Sequence, residues 1–338
     1  MSSNTLHSTQ QGRQKLIDDA RLMRILLLPV SLFLRLVIGM ARMLGLESVI
    51  FQAIFRKISK RFYVRMEEAF EGYLPTANDV FVCSYFKSGT NWTMQIAHQI
   101  ANRGQGRYEH IHDVIAWPDA PIKELAVSLS AGYPRAQSKT GFRVIKTHSE
   151  APTVPYDEQA KYICVVRDPK DVFVSSYFYV RSIILGNLMP SVSTWLDIFL
   201  SDSAMHGEWA NFLQGYWQWR NHSNVLFLTF EDMKDDLPGV IRRIATLMCV
   251  TLTPDEFERV LYFSSYNHMK SIDHKFTPGR ISPFSLPKGH MIRSGNKGNS
   301  SELLTPAQQA RISEHCRRSL QNLGCDFPYD IHYENTSP

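Results

Sequence analysis

The sequence predicts an α/β fold, a central parallel sheet flanked by helices with its chemistry at the carboxyl edge of the strands, and three stretches carry that prediction. Val80 to Ser84 is an apolar run that ends in Lys87-Ser88-Gly89-Thr90 and continues from about Asn91 at helical spacing. Phe142 to Ser149, FRVIKTHS, alternates apolar and polar residues as a strand does, and stops at Lys146, Thr147 and His148. Lys161 to Tyr179 passes from a buried-strand pattern through the charged turn at Arg167 into a helix opened by Pro169. Val225 to Phe230 supplies a further apolar strand ahead of the acidic EDMKDD.

The first stretch is organised for anions. At a strand-to-helix junction the N–H groups of the loop and first helical turn lack internal partners and point one way, and the helix dipole adds positive charge. Gly89 lets the backbone approach closely, Ser88 and Thr90 offer hydroxyls, and Lys87 offers a full charge. The nucleoside-triphosphate version of such a loop, GxxxxGK[ST], has its lysine after the last glycine. Here Lys87 precedes the only glycine, which argues against a kinase or ATPase. Taken alone, the stretch is also compatible with an ordinary turn carrying a solvated lysine.

A chain of 338 residues, 44% hydrophobic and 20% charged, can bury a full core as one large domain or one domain plus an extension. The net charge of +5 is unevenly spread. Residues 1 to 65 hold 11 Lys and Arg against 3 Asp and Glu, so the basic character belongs to the N-terminal extension and the body is slightly acidic. No nucleic-acid partner is expected. Cys83, Cys164, Cys249, Cys316 and Cys325 are odd in number and lack metal-ligand spacing, and Cys83 and Cys164 lie in strand patterns that suit buried thiols, which points to a reducing compartment and no metal. A glycan on the Asn91 sequon would plug the anion loop, which also argues against a lumenal site.

Residues 1–21 read as a disordered polar tail, and 22–74 as a basic, apolar helical extension. Leu22 to Leu46 reads as one helix, yet its longest charge-free run is only ten residues, Ile25 to Leu34, where a span wants about 20. Arg24, Ser31, Arg35 and Arg42 fall on one meridian, a thin cationic stripe on an otherwise apolar helix. Such a helix suits a membrane interface, with its arginines reaching headgroups. A transmembrane span and packing on the body are the competing readings. Arg56, Lys57, Lys60, Arg61 and Arg65 reinforce attraction to an anionic leaflet, so peripheral membrane contact is expected through residues 22–65. Residues 75–330 form the catalytic body, entered through a linker at Pro75 to Asn78, and 331–338 a tail.

Within the body, His98, His110 and His112 read as structural, and Trp117 to Pro121 as a loop that walls a pocket. His148, at a strand's carboxyl end, is placed to remove a proton near pH 7. Arg167 suits bidentate phosphate recognition, with a surface pair to Asp168 or Asp171 as the alternative.

SYFKSGTNW, IKTHS and VVRDPKDVFVS, in this order and spacing, resemble the motifs of the PAPS-dependent sulfotransferases of the cytosolic type: a TYPKSGTTW-like loop, a KTH strand end and RNPKDVxVS. EDMKDD is similar to the family's FYEDMKED, SSYNHMK to its TSFxxMK, and IRSGNKGNSSELLT to RKGxxGDWKxxFT, so the resemblance covers about Asp79 to Leu323. It implies a P-loop NTPase-like sheet and in-line transfer of the sulfuryl group from PAPS, without a metal, to a hydroxyl or amine of a small-molecule or lipid acceptor. Lys87, Ser88, Gly89, Thr90 and Asn91 would cradle the 5′-phosphosulfate, with Trp92 stacking on adenine and Ser264 and Tyr266 lining its side. Arg167, Ser175, Arg293 and Gly295, with Ser294 between, would hold the 3′-phosphate. His148 would be the base, Lys87 would neutralise the leaving oxygen, and Lys146 would steady the sulfuryl oxygens.

Four departures stand out: Phe86 replaces the loop proline, Phe230 a tyrosine, Ser294 a lysine and Ser300 a tryptophan. One lost charged contact costs ~1.5 to 3 kcal/mol, so weakened donor affinity is expected. The alternative is a catalytically decayed, membrane-attached nucleotide-binding scaffold, against which the retained Lys87, His148, Arg167 and Ser175 weigh. The N-terminus points to a lipophilic acceptor and to a cytoplasmic location at the cytosolic face of a membrane, and leaves a homodimer open.

Overall fold

In the computed structural model, which describes residues 2–287 and 289–334, four strands pair in parallel in the order β2-β1-β3-β4. They are β1 (Asp79–Ser84), β2 (Arg143–Thr147), β3 (Lys161–Val166) and β4 (Val225–Thr229). Strands buried on both faces need apolar residues throughout, and β1 supplies them alternately. Val80 and Val82 join one core layer with Met94 and Ile96, while Phe81 and Cys83 join the other with Tyr162 and Phe173. The chain leaves β1 toward β2 on one side and reaches β3 on the other, so the crevice opens where their carboxyl ends diverge. All three chemistry-bearing stretches empty into that crevice.

The helix after β1 is α4 (Thr90–Ala101), capped by Gly89 in the left-handed conformation. A side chain at Gly89 would meet Met233 Cε at 2.8 Å and Phe230 Cδ2 at 2.9 Å, so glycine is required twice over. The helix Pro169–Tyr179 follows β3, its first turn capped by the Asp168 carboxylate on the Lys170 N–H at 2.8 Å.

The N-terminal region differs from the sequence expectation in four respects. Residues 2–26, expected to be disordered over most of their length, form a helix, α1 (Ser2–Leu26). Buried Arg13 anchors it through an ion pair with Asp113 and a 3.1 Å bond to the Leu125 carbonyl, partners too distant in sequence to be foreseen. Second, the helix expected over Leu22 to Leu46 breaks at Leu27. Pro29 cannot donate to the ladder, and α2 (Leu28–Met43) departs from α1 at 70°. No single described helix is long and apolar enough to cross a membrane, although the bent pair passes by length and composition.

Third, the cationic stripe is partly taken up by partners in the protein, although Arg35 and Arg42 remain exposed. Arg24 donates to the Ser282 and Pro283 carbonyls at 3.2 Å each, buried Ser31 to Leu28 O at 2.8 Å, and Arg42 to Glu47 Oε1 at 2.7 Å, while Arg35 is exposed. Guanidinium donors found carbonyl and carboxylate partners on the body, and the apolar faces were left outward. Fourth, α3 (Glu47–Glu68) is part of the core rather than an appendage. Phe51, Phe55 and Met66 are buried, Phe55 meets Trp195 edge-on at 5.2 Å, and Ser59 Oγ donates to Ala204 O at 3.0 Å. Burying one such phenylalanine stabilises the fold by about 1.5–3 kcal/mol.

The expected 331–338 tail is likewise packed as far as it is described. Tyr333 is buried and Lys170 Nζ donates to its carbonyl at 3.0 Å and to Glu334 at 2.7 Å; residues 335–338 lie outside the described residues.

Candidate active site

The crevice is a cleft of about 1000 Å³, counted out to its open mouth, and its walls come from all four strand ends. From the loop after β1 come Phe86, Lys87, Gly89, Thr90, Asn91 and Trp92; from β2 and beyond it Lys146 and His148; from β3 and its helix Arg167, Ser175 and Tyr179; and Phe230 from the end of β4. Tyr266, Met269, Met291, Ile292, Arg293, Ser294 and Gly295 close the far side.

Of the catalytic and nucleotide-binding residues singled out from sequence, only Ser88 and Ser264 do not line the cleft. Ser88 is fully buried behind the loop and its Oγ has no hydrogen-bond partner among the described residues. Ser264 is also fully buried with an unpartnered Oγ, and its carbonyl accepts from the Trp92 indole at 2.7 Å. The Ser264 carbonyl thus fixes the Trp92 indole. Thr90 Oγ1 pairs with Ser84 Oγ at 2.7 Å, tying the loop to the strand.

Positive charge dominates the cleft. Lys87, itself at φ +66°, lies 4.6 Å from the Tyr179 ring centre, and burial, then Arg167, pulls its pKa down to about 8. Lys146 Nζ sits 3.2 Å over the Trp117 ring. Burial pulls its pKa down to about 7 against the pull of Asp119, whose own carboxyl burial pushes up. Trp117 thus packs on the two β2-end residues, Lys146 and His148, without itself lining the cleft.

Arg167 does pair with Asp171, at 2.9 Å, but the pair is buried and forms part of the cleft wall instead of lying on the surface. The second oxygen-bearing partner of Arg167 is the Asn296 carbonyl, at 2.7 Å, while Asp171 also receives the N–H groups of Gly298 and Asn299 at 2.9 Å each. This carboxylate clips the 294–299 segment to the helix Pro169–Tyr179. In that segment Gly295 has φ +64°, and a side chain there would strike Tyr266 Cε2 at 2.4 Å. Phe230, lacking the tyrosine hydroxyl, instead lies flat under Arg167, 4.1 Å from ring centre to guanidinium carbon.

His148 is 4% exposed and held by two hydrogen bonds. Its backbone N–H donates to Asp119 Oδ2 at 2.7 Å, and its Nδ1 lies 2.7 Å from the Ser84 carbonyl. A carbonyl only accepts, so Nδ1 carries the proton and Nε2 keeps its lone pair. Burial, then Lys146, holds the ring well below the ordinary imidazole pKa and therefore neutral. An imidazole in this tautomer, beside two lysines, is built to take a proton from a neutral nucleophile.

Sequence reasoning missed Tyr179, Met269, Met291, Ile292 and His206. Tyr179 lies one helical turn beyond Ser175 and was open to periodicity. His206 lies in an irregular loop with no pattern to reveal it, yet its ring sits 5.2 Å from that of His148.

The cradle suits a nucleotide carrying two anionic groups. Two lysines and two arginines converge, Gly89 and Gly295 bring backbone close, and the slot between Trp92, Phe230 and Tyr266 is aromatic. Among the described residues no group of three His, Cys, Asp or Glu is placed to hold a metal ion.

The family model for the sulfotransferase domain matches residues 77–324. Sulfotransferase 2A6 of Mus musculus is 30% identical over 235 residues, 69% of this chain and 78% of that protein. Sulfotransferase 1C2 of Oryctolagus cuniculus is 26% identical over 269 residues, 75% and 87% of the two chains. Among solved structures, mouse sulfotransferase SULT7A1 complexed with PAP aligns with a TM-score of 0.60 at 24% identity, over 79% of this chain and 91% of its own. Retinol dehydratase in complex with retinol and PAP aligns with a TM-score of 0.60 at 21% identity, over 77% and 85%.

Proposed function

The chain belongs to the sulfotransferase family, and from that membership we propose that it moves the sulfuryl group of PAPS to a hydroxyl or amine of a lipophilic acceptor, with His148 as the general base. The observation that carries this reading is the tautomer of His148, fixed by the Ser84 carbonyl with Nε2 free beside Lys87 and Lys146. Lys87, Gly89, Thr90 and Asn91 hold the phosphosulfate, Arg167, Ser175, Arg293 and Gly295 the 3′-phosphate, and Trp92 the adenine. PAP, the product of such a donor, is bound in the SULT7A1 and retinol dehydratase structures, which favours the same nucleotide here.

Bound in this cradle, PAPS supplies a sulfur that gains a bond to the acceptor oxygen as its bond to the bridging phosphate oxygen breaks. His148 Nε2 takes the acceptor's proton. Lys87 offsets the charge that develops on the departing oxygen, and Lys146 faces the sulfuryl oxygens. A loose, charge-spread transition state asks mainly for positioning and fixed charge, which these residues supply.

Membrane contact forms the second part of the proposal. The outward faces of α1 to α3 carry Leu26, Phe33, Leu36, Met43, Val49 and Ile54, with Leu36 68% and Met43 88% exposed. Exposed Arg35, Lys57, Lys60 and Arg61 lie on the same helices. Apolar anchors with basic neighbours fit the cytosolic face of an anionic membrane. Transfer of label from sulfur-35 PAPS into lipophilic alcohols carried by phosphatidylserine vesicles, together with cosedimentation of the protein, is the expected result. Phe33→Asp with Leu36→Asp should abolish sedimentation and preserve transfer to a water-soluble phenol. A wild-type protein that stays in the supernatant contradicts the membrane part, and absence of any labelled product contradicts the transfer.

A further inference from the structure

We propose that Trp117 is a positioning residue for the transfer: its indole face seats the Lys146 ammonium and presents it, with its charge undiminished, to the cleft. The inference rests on the sulfuryl-transfer reading above and adds to it a residue that does not itself line the cleft. Lys146 is 5% exposed, and its Nζ has no hydrogen-bond or ion-pair partner among the described residues. What it has is the Trp117 ring, 3.2 Å from Nζ to the ring centre. A buried ammonium without any partner is costly, so this contact is what holds the charge in place.

An aromatic seat has an advantage here that a carboxylate lacks. A carboxylate against Lys146 would hold the ammonium firmly but would also cancel its charge toward an anionic donor. The carboxylate in this neighbourhood, Asp119, is engaged elsewhere, accepting from the His148 N–H at 2.7 Å and from Ser149 Oγ at 3.3 Å. A ring face attracts a cation through its quadrupole and leaves the charge whole. The three N–H donors of Lys146 are thereby left for the oxygens of a ligand in the cleft that the lysine lines.

The seat is built into the sheet. Ala116 bridges to Ile145 of β2, and the Lys146 N–H donates to the Ala116 carbonyl at 2.8 Å, so Trp117 is fixed in register with the lysine it serves. The indole Nε1 is buried without a hydrogen-bond partner among the described residues, so packing holds the ring. His112 stacks on it at 5.2 Å and 25°, and His148 meets it edge-on at 5.8 Å. Burial, then Lys146, holds His112 well below the ordinary imidazole pKa, so the stacked ring is neutral and does not repel the ammonium. His112 is fixed in turn: its Nδ1 donates to the Ile115 carbonyl at 3.2 Å, and its backbone N–H to His110 Nδ1, which Arg13 of α1 meets at 3.0 Å. The N-terminal helix therefore braces the seat from behind.

The test joins NMR of the full-length protein, labelled with carbon-13 at lysine Cε, to a double-mutant cycle. Shielded by the indole, the Lys146 Cε protons are expected upfield of the other lysines in wild type, their signal being assigned by its loss in Lys146→Met. Trp117→Leu should return that signal to the ordinary lysine position, and Trp117→Phe, which keeps a ring face, should retain part of the shift. In transfer from labelled PAPS, Trp117→Leu should lower kcat by about ten- to thirtyfold, the scale of a desolvated cation–π contact, and Trp117→Phe by less, with PAP bound within about twofold of wild type. In a Lys146→Met background Trp117→Leu should cost less than about twofold more, because the group it serves is gone. A wild-type Lys146 signal at the ordinary position overturns the proposal, as does a signal that Trp117→Leu leaves unmoved, a Lys146→Met rate within about threefold of wild type, or full additivity of the two substitutions. Should Trp117→Leu fail to fold, the wild-type signal decides alone. A wild type that transfers no sulfuryl group is a separate result that counts against the reading of function, and the lysine signal still decides whether the indole seats Lys146.

Discussion

His148→Asn is expected to lower kcat by roughly 10² to 10⁴-fold, the usual contribution of a positioned base, while PAP binds as it does to wild type. Asparagine is the stringent choice. Its amide N–H₂ can still donate toward the Ser84 carbonyl that fixes Nδ1 at 2.7 Å, and the His148 backbone bond to Asp119 is untouched, so the loop stays in place and only the basic nitrogen is lost. Steady-state rates with a fixed acceptor, alongside calorimetry with PAP, separate the two effects. A loss of PAP affinity equal to the loss of rate would make His148 a structural residue, and a rate within threefold of wild type would remove it from the chemistry.

Lys87→Met should cut kcat/KM for PAPS by about 10² to 10³-fold, the cost of removing one preorganised charge from a developing oxyanion. Methionine keeps the stem of the side chain against Tyr179 and deletes the ammonium. The pH dependence identifies the group. Burial and Arg167 bring the Lys87 pKa down to about 8, so in the free enzyme the ammonium is present below that pH and lost above it. The donor's kcat/KM in wild type should therefore fall as pH rises from 7 to 9, and the part of that fall centred near 8 should be absent from Lys87→Met. A variant that loses less than tenfold, or that keeps the same inflection, would mean that another cation neutralises the leaving group.

Much of the site was legible because its residues sit at the ends of strongly patterned elements. Lys87, His148 and Arg167 each follow an apolar strand directly, and parallel pairing brings the ends of β1, β2 and β3 together without further information. Phe86 and Phe230 were visible as departures, but their effects were not. The stacking of Phe86 on His206 and of Arg167 on Phe230 depends on neighbours more than 60 residues away in the chain.

The N-terminal extension shows where local pattern misleads. Polar residues 2–21 looked disordered because the partner that orders them, Asp113, leaves no local trace. The arginine meridian was real, but an arginine stripe is as well satisfied by carbonyls of a folded body as by headgroups, and Arg24 and Arg42 took partners of the protein's own. The outcome leaves a broad apolar surface of α2 exposed beside Arg35 and Arg42. It also makes α3 inseparable from the body, since its Phe62 touches His206 and its Phe55 the Trp195 ring.

Binding of a 3′-phosphorylated adenine nucleotide in this cleft, the premise of sulfuryl transfer, is tested most directly by calorimetry with adenosine 3′,5′-bisphosphate against adenosine 5′-monophosphate, on wild type and Arg167→Ala. Wild type is expected to bind the bisphosphate at micromolar concentration with a clear preference over the monophosphate, and Arg167→Ala to lose that preference. Equal or absent binding of the two nucleotides by folded wild type would contradict the assignment, and would leave Ser294 and Phe230 as marks of a site that no longer holds its donor.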